Sequence, residues 1–177
     1  MRYAIGILAS IVALVASAGE AGATHWQSVA AGCVLDPVYA SKAEVSPLYG
    51  WISFKAGQTG TIKFVCPVTA WTERPPWGDA NPNTFSITYV DPDGAGAGYG
   101  VSTNVLANRS DGDGWTNVAG IASNSYPHTS KALVSVGFSH AWDEYARYYW
   151  VTVEMYRGST AANVYVSGVQ IWSDQIP

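Results

Sequence analysis

Two short stretches of the sequence combine aspartate and glycine in the way that calcium-binding loops do. Asp91-Pro92-Asp93-Gly94 comes first, and Asp111-Gly112-Asp113-Gly114 follows further along the chain. Calcium takes about six to eight oxygen ligands, and an EF-hand loop supplies them from acidic side chains along its whole length. After Asp93, however, only glycine and alanine follow as far as Gly98. Neither stretch is therefore a complete calcium loop.

The same residue types also suit turns, because Asp bonds its own backbone and Gly adopts positive φ angles at low cost. The sequence favours turns at both stretches. The alternative is that the two loops meet at one end of the fold and share one calcium ion among Asp91, Asp93, Asp111 and Asp113. No other cofactor is indicated.

Candidate catalytic residues are few. A Ser-His-Asp system needs a histidine within reach of a nucleophile, and the chain offers only His25, His128 and His140, without a G-x-S-x-G motif. His140 ends a run of alternating apolar residues, which favours a histidine at the edge of the core with a backbone partner. The alternative is a small secreted hydrolase in which His140 acts with Asp143 or Glu144.

Aromatic residues carry the remaining functional signal. The chain has 8 Trp and 11 Tyr, whereas charged residues make up 12%. Sugars bind by stacking on exposed rings, while amides and carboxylates address their hydroxyl groups. Residues 71–83 contain three prolines, which exclude them from a sheet interior and indicate a long functional loop. The predicted ligand-binding residues are Trp71, Trp77 and Tyr156 for stacking, and Asp79, Asn81 and Asn83 for hydrogen bonding.

Short β-strands must position these residues. Clusters of Gly, Pro, Asn and Asp recur at intervals of about ten residues, which is typical of an all-β sandwich or barrel. We predict an antiparallel β-sandwich of jelly-roll type with about eight strands, and a further short strand before Cys33. The eight strands are residues 49–55, 61–68, 85–90, 100–107, 115–122, 132–140, 148–157 and 163–172.

Side-chain alternation supports this arrangement, because one face of an antiparallel sheet is commonly buried. Residues 148–157 place apolar side chains on one face, predicted to be core, and aromatic or polar ones on the other. The apolar set is Val151, Val153 and Met155, and the opposite set is Trp150, Thr152, Glu154 and Tyr156. The glycine-containing connections 57–60 and 158–162 predict hairpins between the first two and the last two strands.

Three stretches together resemble a group of uncharacterised exported bacterial proteins. Residues 60–68 match its G-x-I-x-x-x-CPV strand, residues 87–94 its Y-x-D-x-D-G turn, and residues 139–157 its closing YY-x-V-x-V strand. The resemblance covers most of the chain beyond the first two dozen residues. It implies the sandwich fold and a bacterial origin, but no activity and no catalytic residue.

The start of the chain predicts export. Arg2, an apolar run over residues 3–18 and small residues up to Ala23 form the pattern of a secretory signal peptide. Cleavage after Ala23, with Ala18 as the alternative, leaves one domain over residues 24–177 without a membrane span. The protein is therefore expected to be secreted, or periplasmic. Two cysteines in an exported protein predict one disulfide, Cys33–Cys66.

The charge of the chain limits the classes of partner that it is expected to bind. The formal net charge is -4 and no basic stripe exists, so nucleic acid is not an expected partner. The predicted function is non-catalytic binding of a glycan or cell-surface polymer through exposed aromatic residues. The alternatives are a structural or assembly subunit that self-associates through the same surface, and the small hydrolase described above.

Overall fold

The computed structural model describes residues 25–69, 82–109, 111–112, 114–143 and 146–173. The predicted signal peptide, residues 1–23, lies outside them. Within these ranges the strands are β1 (His25–Val29), β2 (Val34–Leu35), β3 (Ala43–Ser46), β4 (Trp51–Phe54), β5 (Gly60–Pro67), β6 (Thr84–Val90), β7 (Tyr99–Arg109), β8 (Trp115–Ala122), β9 (Ala132–Gly137), β10 (Arg147–Arg157) and β11 (Tyr165–Trp172). The helical segments described are single 3-10 turns, and none has the length and apolar character needed to cross a membrane.

The strands form two antiparallel sheets. Sheet A has the order β3-β4-β11-β6-β9, with β1 also paired to β11, and sheet B has the order β2-β5-β10-β7-β8. The eight strands β4 to β11 divide equally between the sheets, and most consecutive strands lie in opposite sheets. This is the arrangement of a jelly roll. The predicted all-β antiparallel sandwich is confirmed, and its eight strands correspond to β4 to β11.

The core lies between the sheets and follows from the alternation along the strands. Val151, Val153 and Met155 of β10 are buried, as predicted. The apolar residues of β5 and β6 join them from the two sheets in one cluster, which includes Ile62, Phe64, Cys66, Phe85, Ile87 and Tyr89. The opposite face of β10 is therefore left on the outside of sheet B.

The two predicted hairpins are wrong. β4 lies in sheet A and β5 in sheet B, and likewise β10 and β11 belong to different sheets. Gly57 and Gly60 do adopt the positive φ angles, 74° and 98°, that suggested a turn. A local turn signal does not specify whether the chain returns beside the same strand or crosses to the other sheet. Both connections are crossings.

Arg157 forms hydrogen bonds with both of these connections, β4 to β5 and β10 to β11. Its side chain is buried, although it ends the strand that carries it. Its Nε and Nη2 donate to the carbonyl oxygens of Ser159 and Thr160 at 3.1 and 3.0 Å. Its Nη1 donates to those of Lys55 and Gln58 at 3.3 and 3.1 Å. One guanidinium group, with its fan of donors, thus satisfies four backbone carbonyls from two loops.

A disulfide attaches the N-terminal segment to sheet B. Cys33 and Cys66 are bonded, with their Cα atoms 4.4 Å apart, which confirms the predicted pairing. Cys66 lies in β5, and the short strand β2 pairs with β5 directly after Cys33. The predicted strand before Cys33 is β1, whereas β2 and β3 were not predicted.

Candidate functional site

The outward-facing residues of β5, β10, β7 and β8 form a surface that we call the sheet B face. The strand register aligns them in five rows across the sheet. From one end to the other the rows are Thr61-Tyr156-Gly100, Lys63-Glu154-Ser102-Ala122, Val65-Thr152-Asn104-Gly120, Pro67-Trp150-Leu106-Asn117 and Tyr148-Asn108-Trp115.

Aromatic rings occupy both ends of the sheet B face. Tyr156 lies at one end with 43% of its surface exposed. At the other end Tyr148 and Trp115 are each 67% exposed, and half-buried Trp150 lies in the neighbouring row. Tyr148 and Tyr156 are eight residues apart on β10, which is about 27 Å at about 3.4 Å per residue. The exposed rings thus lie at the two ends of the face, Tyr148 and Tyr156 on β10 and Trp115 on β8.

Polar side chains occupy the middle rows. Lys63 Nζ lies 2.7 Å from Glu154 Oε2. The hydrogen bond to Glu154, and then its negative charge, raise the pKa of Lys63. Asn117 Nδ2 donates to Asn104 Oδ1 at 3.0 Å. The middle of the face therefore combines amides with one closed ion pair.

A shallow depression of about 320 Å³ lies over these middle rows. Lys63, Asn104 and Thr152 are among the residues that line it. Gly120 shapes this part of the surface, because a Cβ atom there would lie 2.7 Å from Asn104 Oδ1. Because Gly120 has no Cβ atom, the Asn104 amide can lie across β8 and reach Asn117.

The structure does not bring all predicted ligand-binding residues together. Trp71, Trp77, Asp79 and Asn81 lie outside the described residues. Asn83 precedes β6 in sheet A, where its Oδ1 accepts a hydrogen bond from Thr84 Oγ1 at 3.0 Å. Tyr156 lies on sheet B beside the start of β7, which the chain reaches only after β6 has ended. Asn83 and Tyr156 are therefore at opposite ends of the sandwich.

Several residues of the sheet B face were not predicted from the sequence. Tyr148 lies an even number of residues from Trp150 and Tyr156 on β10. The alternation of side chains along the strand therefore already placed it on the same face as these two residues. Trp115, Asn104 and Asn117 belong to other strands, and their place beside β10 depends on the register. No local pattern carries that information.

Asp91 and Asp93 lie together, but Asp111 does not join them. Asp93 Oδ2 accepts hydrogen bonds from the amides of Gly98 at 2.8 Å and Tyr99 at 3.2 Å, where β7 begins. Asp111 pairs instead with Arg109, at the end of the same strand, at 2.6 Å. Those two ends are roughly 30 Å apart for an eleven-residue strand. The predicted sharing of one ion with the second loop is therefore wrong for Asp111, and Asp113 lies outside the described residues.

Asp91 is fully buried, although it was predicted in a turn. The turn exists, because Gly94 N donates to Asp91 O at 3.2 Å. The side chain, however, points inward and accepts a hydrogen bond at Oδ2 from the hydroxyl of Ser123. Burial raises the pKa of the Asp91 carboxyl group, the Ser123 bond opposes this rise, and the neighbouring Asp93 carboxyl group adds to it.

His140 contacts a tyrosine rather than the predicted backbone partner. β9 ends at Gly137, so His140 lies in the connection that follows, and its Nε2 is 3.1 Å from Tyr149 Oη. The Tyr149 ring stacks on Trp142 with centroids 3.8 Å apart. Burial lowers the pKa of His140, and the positive charge of Arg147 lowers it further.

The two acids named for a hydrolase give no catalytic arrangement in the described residues. The backbone amide of Asp143 donates to the same Tyr149 hydroxyl at 2.9 Å. Its carboxylate accepts from the amide of Ala146 at 3.0 Å, which closes a local turn. Glu144 lies outside the described residues.

Comparison with protein-family models and with curated proteins gives no match. Similar solved structures include the xylan-binding module CBM15, with 14% identity over 88% of this chain and 100% of that one and a TM-score of 0.49. Another is the carbohydrate-binding module CBM36 in complex with calcium and xylotriose, with 9% identity, coverages of 82% and 98%, and a TM-score of 0.46. A low-affinity xylan-binding module, CBM86 from Roseburia intestinalis, has 12% identity, coverages of 83% and 93%, and a TM-score of 0.39. These values are too low to assign a ligand or a metal to this chain.

Proposed function

We propose that this protein is a non-catalytic module that binds a neutral glycan chain on the sheet B face. The observation that carries the proposal is the order of its rows. Exposed aromatic rings lie at both ends, and uncharged or charge-paired polar side chains lie between them.

The aromatic ends suit sugar rings. A pyranose has apolar C–H faces, and stacking on Tyr or Trp removes those faces from water without requiring a deep pocket. Tyr148, Trp115 and Tyr156 are exposed in the free protein, so a ligand has direct access to them. They stand on paired strands, so the protein orders little on binding and loses little entropy.

The polar middle suits the hydroxyl groups around the rim of a sugar. Asn104 and Asn117 offer amide donors and acceptors, and Glu154 offers the carboxylate oxygen that does not meet Lys63. Thr152 and Ser102 add hydroxyl groups in adjacent positions. A chain that lies along β10 therefore meets a ring, then polar groups, then another ring.

Charge pairing favours a neutral glycan over an acidic one. Lys63 and Glu154 are the charged members of the five rows, and they pair with each other. A polyanion would need unpaired cations, and these rows provide none. The predicted roles of Trp71, Trp77, Asp79 and Asn81 in the same binding stay predictions.

We also propose that the protein acts outside the cytoplasm. The Cys33–Cys66 disulfide is typical of an oxidising compartment, which agrees with the signal peptide predicted for residues 1–23.

Affinity electrophoresis of the purified protein tests the binding. The gels contain xylan, mixed-linkage β-glucan, galactomannan or polygalacturonate, and calorimetry with oligosaccharides follows any retardation. We expect retardation by at least one neutral polysaccharide, and about a tenfold weaker affinity for Tyr148→Ala, because one stacked ring contributes about 0.5 to 1.5 kcal/mol beyond area burial. Tyr49→Ala is the matched control, since Tyr49 is 70% exposed in the turn before β4, away from sheet B.

Two results would overturn the proposal. One is the absence of retardation by every neutral polysaccharide. The other is an unchanged affinity in both Tyr148→Ala and Trp150→Ala. A protein that binds no glycan but forms concentration-dependent oligomers, which Tyr148→Ala disrupts, would instead support the assembly subunit.

A further inference from the structure

Two carboxylate oxygens in the connection from β6 to β7 are buried and have no hydrogen-bond partner. They are Oδ1 of Asp91 and Oδ1 of Asp93. Asp91 is 0% exposed, so water cannot satisfy its free oxygen from outside. Buried polar atoms are almost always paired, so two unpaired oxygens on neighbouring side chains indicate a group that binds between them.

The other oxygen of each carboxylate is already engaged, and this fixes the two side chains. Asp91 Oδ2 accepts from Ser123, whose own Oγ accepts from the amide of Val101 at 2.9 Å. Asp93 Oδ2 accepts from Gly98 and Tyr99. Burial is the main cause of the raised pKa of Asp91, and a hydrogen bond and the charge of the Asp93 carboxyl group add to it, so the two carboxyl groups are neighbours. The two free oxygens therefore lie on neighbouring, fixed side chains.

This site needs a positive charge. Every donor that the described residues direct at the two carboxylates is neutral, namely a hydroxyl group or a backbone amide. Two adjacent buried carboxylates repel each other and lose their hydration, so the pair is stable only with one cation or one proton between its members.

We propose that Asp91 and Asp93 bind one divalent cation, Ca²⁺, through the Oδ1 atom of each carboxylate. Calcium prefers oxygen ligands and accepts irregular coordination, so backbone carbonyls and water can complete its shell. Zinc and copper favour imidazole or thiolate ligands, whereas both side chains here offer carboxylate oxygens. The site goes beyond glycan binding, because it involves none of the rows of the sheet B face.

A cation here has a structural consequence. Asp91 follows β6 of sheet A, whereas Ser123 follows β8 of sheet B, and the Asp91 carboxylate contacts Ser123 directly. An ion on the free oxygens would hold this carboxylate in place and keep the two connections together at one edge of the sandwich. Calcium binding should therefore stabilise the folded state by linkage.

Calcium titration of the full-length purified protein tests the site. The protein is treated with EDTA and dialysed into chelator-cleaned buffer near neutral pH, and CaCl₂ is then added in a calorimeter and in parallel thermal melts. We expect one Ca²⁺ per chain and a melting temperature that rises with free Ca²⁺.

Asp93→Asn, which keeps the size of the side chain, should weaken the affinity at least tenfold, and Asp91→Asn should do the same. Asp111→Asn is the matched control, because Asp111 is exposed at the far end of β7, and it should bind Ca²⁺ like the wild type.

The wild-type titration decides the matter even if the Asp91 and Asp93 variants fail to fold. No calcium uptake, together with an unchanged melting temperature in millimolar Ca²⁺, overturns the proposal and leaves a proton shared by the two carboxyl groups. Equal weakening by Asp111→Asn also overturns it, since binding would then depend on overall negative charge. Glycan retardation is measured separately, so neither result bears on the sheet B face.

Discussion

The guanidinium group of Arg157 donates a hydrogen bond to the backbone carbonyl of Gln58, which lies 99 residues earlier in the chain. It also binds Ser159 and Thr160 in the connection that follows its own strand. The first and the last crossing between the eight jelly-roll strands are therefore joined through a single side chain.

Arg157→Lys should destabilise the fold by about 3 kcal/mol, because removing one partner of a buried charged network leaves other groups unpaired. An ammonium group lacks the planar set of donors that reaches four carbonyls. Urea unfolding measures the loss. Arg109→Lys is the control, since Arg109 is exposed and pairs only with Asp111 among the contacts described, and it should change the stability by less than about 0.5 kcal/mol. Equal effects of the two substitutions would contradict the assigned role of Arg157.

Glycan affinity should be insensitive to salt. The charges of the sheet B face form one closed pair, Lys63 and Glu154, so no net field attracts the ligand. Calorimetry at low and high NaCl concentration should give the same dissociation constant, because a neutral ligand makes no charge–charge interaction that added salt could screen. A steep loss of affinity with added salt would indicate an anionic ligand and contradict the neutral glycan.

Gly120→Ala should weaken glycan binding with little loss of stability. The new Cβ atom would lie 2.7 Å from Asn104 Oδ1 and 3.2 Å from Thr103 O, so the Asn104 amide has to turn away from Asn117. We expect a several-fold weaker affinity and a melting temperature within a few degrees of the wild type. Gly137→Ala on sheet A is the control, because a Cβ there would meet only Asn83 O at 3.8 Å. If Gly120→Ala binds like the wild type, Asn104 does not take part in recognition.

Removing the disulfide should lower the stability considerably. The bond joins residues 33 positions apart, and closing a loop of that length contributes about 3 to 4 kcal/mol in the chain-entropy model. The double variant Cys33→Ser, Cys66→Ser should therefore unfold at a lower urea concentration. Val34→Ser serves as the control, because Val34 is exposed beside the bond. A double variant as stable as the wild type would show that β2 is held by its pairing with β5 alone.

His140 should make the protein less stable in mild acid. Its pKa is lowered in the folded state, so on acidification the unfolded chain binds this proton first. The contribution is present above the ordinary histidine pKa of about 6.5 and is lost as the pH falls through the lowered value. His140→Gln keeps a hydrogen-bonding group for Tyr149 but does not titrate.

Urea unfolding at neutral pH and at about pH 5 compares the wild type with His140→Gln. Both proteins contain His25 and His128, so any contribution of these residues to the pH dependence cancels in the difference. The wild type should lose more stability than His140→Gln over that range. A variant that loses as much would assign the acid sensitivity to other groups.

Local sequence predicted the strands well, because alternation and turn residues act over a few positions. The apolar face of β10 and the bounds of β8, Trp115–Ala122, agree with the prediction. The predicted strand 132–140 was too long, since β9 ends at Gly137 and the chain then turns toward Tyr149.

Pairing between distant strands was not predictable in the same way. Gly57 and Gly60 show that the backbone turns. Only the burial of the apolar faces of both sheets against each other decides that β5 pairs with β10 instead of β4. Asp91 is the clearest case. Its neighbours in the sequence predict a surface turn. Its burial depends on a contact with Ser123, which lies 32 residues later in the chain.

The pairing of β1 with β11 has a practical consequence for tethering. His25 and Trp172 are directly opposite each other in that register, so the first and last strands of the described fold enter and leave the domain at the same point. Both strands belong to sheet A, on the side of the sandwich away from the sheet B face. A tag, a linker or a solid support attached at either end would therefore leave the sheet B face free to meet a long polymer.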